Sequence, residues 1–188
     1  MKNLGLLIIC FVGFSFSSVH AQKRTVAGVT FDAKTTVNGQ TLMYNGAGLR
    51  EKYTFDLYVG ALYLSRPSMD ASKIISDDDE MAIHIQLVSD KVTRDKFVET
   101  VKEGFGKATS GKATDAEIKK FMGFFTGEFK SGDKIHLEYT PGKGVTAKKN
   151  GTNLGTVSGL EFKKALFSIW LGSKPADAAL KKGMLGKV

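Results

Sequence analysis

The stretch NGAGLREKYTFDLYVGALYL, residues 45–64, decides the fold. From Tyr53 onward its odd-numbered side chains are mostly apolar, and this period of two is typical of a β-strand with one buried face. Its even-numbered positions change from polar to apolar, so we expect the far end to be covered on both faces. A glycine-rich segment, residues 46–48, precedes the strand and allows other groups to approach the backbone closely. Arg50 therefore stands just before a buried strand.

Length and composition indicate one sheet-rich domain. The 188 residues are enough for a single sizeable core. Apolar residues make up 42% of the chain and charged residues 24%, which is ordinary for a globular protein. The 21 glycines and only 3 prolines suit a sheet with tight turns.

The first residues are typical of a secretory signal peptide. Lys2 supplies a short positive region, residues 4–16 form an apolar run, and Ala21 offers the small residue expected before a cleavage site. The apolar run is short for a membrane span of about 20 residues. We therefore expect residues 1–21 to be a signal peptide, residues 22–188 to be the mature domain, and the product to be periplasmic or secreted.

The other strands are predicted by alternation and by turn signals. Asn38-Gly39 and Asn150-Gly151 each supply the positive φ angles of a tight hairpin turn. Alternation of apolar and polar residues predicts further strands at residues 24–31, 81–88, 134–140, 144–149 and 152–157.

Helical spacing replaces this alternation in two parts of the chain. Apolar residues recur at helical intervals over residues 93–105, and residues 114–117 form a capping box before a second helix. Residues 158–161 predict another capping box, and Pro175 suits the first turn of a last helix. The order of strands, two helices, strands and two helices predicts one α+β domain with a largely antiparallel sheet.

The net charge of +8 is spread along the chain. Lysine pairs at 148–149, 163–164 and 181–182 are interpreted as solvated faces, and no recognition helix or RNA-binding motif accompanies them. We therefore expect no nucleic-acid partner. A basic surface still favours anionic ligands or anionic membrane surfaces through long-range attraction, so peripheral membrane association stays open.

Signatures of catalysis, metal binding and cofactor binding are weak. The only cysteine, Cys10, lies in the signal segment, and His84 and His136 are the only histidines beyond it. These two histidines lie on polar faces of predicted strands, where we expect them to be exposed, and two ligands without a third are too few for a zinc site. Residues 46–48 are half of a dinucleotide fingerprint but precede a strand, and residues 77–80 lack the spacing of a calcium loop. We expect no metal and no cofactor.

Arg50 has two interpretations. It is either a surface charge paired with Glu51 or Asp56, or a fork-shaped receptor for a carboxylate or enolate. Tyr58 shares its strand face by parity, but eight residues of straight strand span roughly 26 Å, at about 3.3 Å per residue. The two side chains converge only if the chain folds back around residues 51–54 or if a cavity between them is long.

These motifs, taken in order, resemble those of chalcone isomerase-like proteins. In that family a Gly-x-Gly-x-Arg motif precedes a strand with a Gly-x-Tyr-Leu type of ending, as in residues 45–64 here. The likeness continues through LVSDKVTRDKFVETVKEGF, TDAEIKKFMGFF, FKSGDKIHLEYTPGKGVTAKKNG and LEFKKALFSIWLGSKPADAALKKGML. The resemblance implies an antiparallel sheet backed by a helical layer, with a cleft between them. Some members cyclise chalcones, others bind fatty acids, and others are not catalysts.

The resemblance also implies a set of site residues. Arg50 maps onto the arginine that contacts the anionic ligand in both functional classes. Tyr58 stands where the plant enzymes carry a threonine, Thr93 where they carry a tyrosine, and Thr100 where they carry an asparagine. As an isomerase the chain would use Arg50, Tyr58 and Thr93. As a binder it would use these with Thr100 and with the helix rings Phe97, Phe121 and Phe125.

Three functions follow from these expectations. The first is an exported, non-catalytic binder of a fatty acid or similar apolar anion in the cleft, with the anion held by Arg50. The second is an isomerase or intramolecular lyase that closes a ring by oxa-Michael addition, with Arg50 stabilising the enolate. The third is an envelope interaction protein without a small ligand, which a cleft filled by its own side chains would favour.

Overall fold

The main sheet is an antiparallel meander of seven strands. The structure, a computed structural model, describes residues 23–187. The predicted signal peptide lies outside these residues. The strands follow one another in the sheet as they do in the chain. They are β3 (Lys34–Val37), β4 (Gln40–Lys52), β5 (Phe55–Leu64), β6 (Met81–Leu87), β7 (Lys134–Thr140), β8 (Gly144–Lys149) and β9 (Thr152–Val157).

A separate hairpin covers the outer face of this sheet. It consists of β1 (Lys23–Val26) and β2 (Val29–Asp32), so the prediction of one strand over residues 24–31 is wrong. Ala27 and Gly28 take φ values of 45° and 76° and reverse the chain between the two strands. On the outer face, buried side chains of this hairpin pack with the odd-numbered residues of β5.

Residues 45–64 form a hairpin, whereas the sequence predicted a single strand preceded by a glycine-rich segment. The glycine motif and Arg50 lie on β4, the chain reverses at Tyr53 and Thr54, and β5 returns beside β4. Tyr53 has a φ of 58° in this turn, which is uncommon for a bulky residue. The chain therefore folds back between Arg50 and Tyr58, which was one of the two conditions for their side chains to converge. The far half of β5 is buried on both faces, as the sequence predicted.

Five helices accompany the strands within residues 23–187, and they confirm one of the two predicted capping boxes. Thr114 and Glu117 cap each other's backbone as predicted. The second box is wrong, since Gly159 is the N-cap with a φ of 104° and no side chain caps that helix. The last helix begins after Asp177 instead of at Pro175. The helices are α1 (Ala71–Ser76), α2 (Arg94–Lys107), α3 (Asp115–Gly123), α4 (Leu160–Leu171) and α5 (Ala178–Met184).

The glycines of the motif have a packing reason. A Cβ on Gly48 would lie 2.8 Å from the Leu180 backbone, and one on Gly46 would lie 2.2 Å from the Gly183 carbonyl oxygen. Helix α5 thus rests directly on the backbone of β4, which a larger residue would prevent. The predicted close approach is confirmed, and the approaching group is a helix of the same chain.

Lys163 corrects the interpretation of the lysine pairs as solvated faces. Its side chain is fully buried, and its Nζ donates hydrogen bonds to the carbonyl oxygens of Ile74, Ile75 and Asp77. These carbonyls lie at the end of α1, where helix carbonyls lack partners of their own. Burial lowers the pKa of Lys163 to about 8.

In residues 23–187, none of the helices is long and apolar enough to span a bilayer.

Six phenylalanine rings fill one part of the space between sheet and helices. Neighbouring rings lie 4.9 to 6.3 Å apart between centroids, mostly edge to face or tilted, which suits aromatic packing. We call these rings the aromatic cluster: Phe97, Phe105, Phe121, Phe125, Phe129 and Phe162.

Candidate ligand-binding site

A cavity of about 520 Å³ opens beside the aromatic cluster. It lies between the β4–β5 hairpin, the start of α2 and the end of α4. This volume falls within the range of roughly 300–1,000 Å³ that small-molecule pockets occupy. Its lining combines apolar side chains with a charged mouth. The apolar wall includes Leu57, Val92, Phe97, Val101, Ile169 and Trp170, and the charged groups include Lys52, Lys91, Lys96, Glu99 and Glu103.

Arg50 and Tyr58 meet inside this cavity. They are directly opposed across the β4–β5 pair, and Arg50 Nη1 lies 3.4 Å from Tyr58 Oη. The Arg50 guanidinium carbon also lies 5.6 Å from the centre of the Tyr58 ring, within cation–π range. Tyr58 is buried and Arg50 is half-buried. The hairpin thus brings together two side chains that are eight residues apart in the sequence.

Trp170 fixes the Tyr58 hydroxyl from the opposite side. Its indole Nε1 donates a hydrogen bond of 2.9 Å to Tyr58 Oη, and this contact is buried. The hydroxyl oxygen therefore accepts from both Trp170 and Arg50. Within residues 23–187 the hydroxyl proton has no acceptor, and a phenol can donate as well as accept. A ligand oxygen in the cavity would supply that acceptor.

Arg50 has no carboxylate partner in the described part of the chain. Glu51 and Asp56 face each other across the hairpin, both exposed, and neither forms an ion pair with the guanidinium. The interpretation of Arg50 as half of a surface ion pair is therefore wrong for residues 23–187. A half-buried guanidinium without a counter-ion is suited to an anionic ligand.

Four of the seven predicted site residues line the cavity: Arg50, Tyr58, Phe97 and Thr100. The structure places the other three elsewhere. Thr93 is exposed and caps α2 by accepting a hydrogen bond from the Lys96 amide. Phe121 and Phe125 are buried in the aromatic cluster, where they pack on each other and on neighbouring rings.

Trp170 and Ile169 are the most important residues that the sequence analysis missed. They lie on α4, more than a hundred residues after Tyr58, and their helix contains apolar residues on every side. The one available signal was that Trp170 is the only tryptophan of the chain. A buried indole usually finds a hydrogen-bond acceptor, and here that acceptor is the site tyrosine.

The histidines form a second cluster, on the opposite face of the sheet. His84 and His136 are cross-strand neighbours with stacked rings, and Glu138 lies close to both. The expectation that both histidines are exposed is wrong, because His84 is 9% exposed and His136 is half-buried. Burial, with nearby positive charge, lowers the pKa of His84 to about 2 and that of His136 to about 4.

Comparison with known proteins decides the family. The family model described as chalcone isomerase-like matches residues 23–186. The chain belongs to the chalcone isomerase-like family. Among solved structures it is similar to a fatty-acid binding protein of Arabidopsis thaliana, with a TM-score of 0.71 and 19% identity, over 88% of this chain and 97% of that one. No curated protein sequence matches the chain.

The comparison confirms the predicted family and the α+β architecture, a curled antiparallel sheet with helices. At 19% identity the likeness to the plant protein shows the fold alone. What this chain binds has to be argued from its own residues.

Proposed function

We propose that the protein is a non-catalytic binder of a fatty acid or a similar apolar anion. The anionic head would lie against Arg50 and Tyr58, and the apolar tail would lie along the wall made by Phe97, Val101 and Ile169. A solved structure of similar fold is that of a fatty-acid binding protein, which supports the proposal.

The observation that carries the proposal is the unused hydrogen-bonding capacity at one point of the cavity. The Arg50 guanidinium lacks a carboxylate, and the Tyr58 hydroxyl proton lacks an acceptor, among residues 23–187. Both are donors only 3.4 Å apart, so the two oxygens of one carboxylate can accept from both. Because donors without acceptors are costly in a partly desolvated site, an anion relieves both deficits at once.

Ring-closing isomerase activity is the second candidate, and the site has fewer polar groups than it needs. Arg50 could stabilise an enolate, but Thr93 is exposed and outside the cavity. Thr100 remains as a half-buried hydroxyl in the lining. Addition of a chalcone and measurement of its visible absorbance tests this candidate. We expect the absorbance to decay no faster with the protein than without it.

A function without a small ligand is less well supported. A cleft filled by its own side chains would favour such a function, whereas a cavity of about 520 Å³ remains open beside Arg50. The aromatic cluster fills only the neighbouring part of the interface between sheet and helices.

We further propose that the hairpin tip at the cavity mouth contacts a membrane surface. Tyr53 is 90% exposed and Phe55 44% exposed, and Lys91 Nζ lies 4.0 Å from the centre of the Phe55 ring. Aromatic rings favour the membrane–water interface, and lysines are attracted to anionic lipids. Such a contact would place the cavity mouth where apolar anions are abundant.

Vesicle sedimentation tests this membrane contact. We expect wild-type protein to sediment with vesicles that contain anionic phospholipid, less so at high salt, and the Tyr53→Asn/Phe55→Ser double variant to remain in solution. Met69→Ser, at another exposed apolar residue, is the matched control. Equal sedimentation of the double variant and the wild type contradicts the proposed contact.

Export remains part of the proposal, with cleavage near Ala21. We expect the mass of the protein recovered from its own host to correspond to a chain that begins at Gln22. A mature mass that still includes residues 1–21 contradicts it.

Fluorescence of Trp170 offers the direct test of ligand binding. Because this only tryptophan donates to Tyr58 in the cavity, its emission should change as the ligand fills the site. We expect a saturable change with palmitate and a Kd about 10- to 100-fold higher in Arg50→Gln, the range for loss of one charge-assisted hydrogen bond. Arg66→Gln, at an exposed arginine outside the cavity, is the control and should bind like the wild type.

Two outcomes would contradict the proposal. One is the absence of any saturable change with fatty acids of several chain lengths. The other is an equal affinity of wild type and Arg50→Gln, which would show that the anionic head lies away from the guanidinium.

A further inference from the structure

The outer face of the sheet holds a cluster of potential metal ligands. His84 on β6 and His136 on β7 are directly opposed, with ring centroids 3.7 Å apart and planes within 6° of parallel. Glu138 follows His136 by two residues, so its side chain lies on the same face of the sheet. One ligand atom from each of the three side chains lies within 4.8 Å of the others.

One nitrogen of this cluster lacks a hydrogen-bond partner. His84 Nε2 is the only fully buried side-chain nitrogen or oxygen without a partner among residues 23–187. A buried polar atom that makes no hydrogen bond in a native protein calls for an explanation, and a missing ion is one of the accepted ones. The residue itself is 9% exposed, which makes the unmet nitrogen costly.

We propose that His84, His136 and Glu138 bind a divalent transition-metal ion of the zinc type. Two imidazole nitrogens and one carboxylate oxygen are a ligand set that such ions accept, with a fourth position left for water. Because imidazole lone pairs lie in the ring plane, the two parallel rings have to turn out of their stack for both to reach one ion. This site lies on the face of the sheet opposite Tyr58, so the proposal is independent of ligand binding at Arg50.

The surroundings give the ion a way in. A second cavity, of about 180 Å³, lies between the β1–β2 hairpin, β3 and the outer face of the sheet, and both histidines line it. Asp32 adds negative charge to the lining of this cavity, and Lys34 and Lys134 add positive charge. Imidazole coordinates a metal ion through the nitrogen lone pair of its neutral ring.

Lys148 competes with the ion for the Glu138 carboxylate. Its Nζ lies 2.7 Å from Glu138 Oε2, and its charge faces the histidines. A bound cation would have to share Glu138 with this ammonium and would be repelled by it. Removal of Lys148 should therefore strengthen metal binding, whereas removal of any of the three ligands should weaken it.

Cobalt is a suitable probe because its visible absorption reports coordination by nitrogen and oxygen. The protein, free of any histidine tag, would be titrated with Co²⁺ and then with Zn²⁺, which should displace it. We expect one ion per chain, an affinity at least tenfold lower in His136→Ala and in Glu138→Gln, and a higher affinity in Lys148→Met. Glu128→Gln, at an exposed carboxylate away from the cluster, is the matched control and should behave like the wild type.

His136 is half-buried, and Glu138→Gln keeps the shape of a buried side chain and an oxygen that can still accept from Lys148, so circular dichroism should show that both variants fold. If His84→Asn fails to fold, these two variants still decide the question. The absence of saturable cobalt binding would overturn the proposal, and so would an unchanged affinity in His136→Ala.

Discussion

The space between sheet and helices is occupied in two different ways. At the aromatic cluster, phenylalanine rings fill the space almost completely, and Phe121 is fully buried. Beside it, around Tyr58, a cavity of about 520 Å³ remains. Phe97 belongs to both regions, since it packs on Phe125 and also lines the cavity.

The difference between the two regions lies in their polar groups. The rings of the aromatic cluster bring no hydrogen-bonding atoms that need a partner. The cavity contains a guanidinium, a phenol hydroxyl and an indole, which hydrocarbon packing alone could not satisfy. We infer that the cluster stabilises the fold and that the cavity is kept open for a guest with an anionic head.

Removal of a ring from the aromatic cluster should have the largest effect on stability. Phe121→Ala leaves a cavity in a closely packed region, and we expect the free energy of unfolding to fall by about 3–5 kcal/mol. Urea denaturation measures it. Phe55→Ala, at a partly exposed ring of the hairpin tip, is the control and should cost less than about 1 kcal/mol. A fall of less than about 1 kcal/mol in the free energy of unfolding of Phe121→Ala would contradict the close packing of the aromatic cluster.

Lys163 tests how well a third buried place, the end of α1, is shielded from water. Its folded-state pKa of about 8 lies below the unfolded value of 10.5, so between these pH values the unfolded chain binds a proton that the folded chain lacks. The free energy of unfolding should therefore rise with pH through this window, by up to about 1.4 kcal/mol per pH unit. Below pH 8 the cost of burying the charge is present in full.

The difference between wild type and Lys163→Met isolates this contribution from other groups that titrate at high pH. We expect the pH-dependent rise in wild-type stability between pH 8 and 10.5 to be absent from the variant. Parallel curves for the two proteins would show that the ammonium is well hydrated in the fold.

Tyr58→Phe should produce the smallest change, and it should appear in binding more than in stability. The substitution removes one donor to the ligand, so we expect the Kd for palmitate to rise about tenfold. Loss of the acceptor for Trp170 should cost about 0.5–1.5 kcal/mol of stability. Tyr44→Phe, at a tyrosine packed on the outer face, is the matched control for binding. A larger rise of the Kd in Tyr44→Phe than in Tyr58→Phe would show that the ligand lies on the outer face of the sheet.

Local signals in the sequence predicted much of the fold. Asn38 and Asn150 take the positive φ angles that their Asn-Gly turns required, and three strands have the predicted bounds. The turn at Tyr53 was not recognised as a hairpin, because no glycine or asparagine marks it. Likewise α1 was missed, since it is a single short helix of six residues in a polar segment.

The site was predictable only in part, for a physical reason. Parity along the strand could suggest that Arg50 and Tyr58 share a face. Their pairing depends in addition on the local reversal of the chain between them. The rings of Phe97, Phe121 and Phe125 recur at the same helical spacing, so periodicity cannot tell which one borders a void. Trp170 enters the site through tertiary packing across more than a hundred residues, and no local pattern encodes that contact.

The central claim is that Arg50 holds the anionic head of the guest. Palmitate labelled with ¹³C at its carboxyl carbon tests it most directly, because the chemical shift of that carbon reports ionisation. A nearby guanidinium keeps a bound carboxyl ionised, whereas an apolar cavity alone raises its pKa. We expect the bound signal to stay unchanged from pH 8 to pH 5 in the wild type and to titrate within that range in Arg50→Gln. A wild-type signal that titrates like that of the variant would contradict the account.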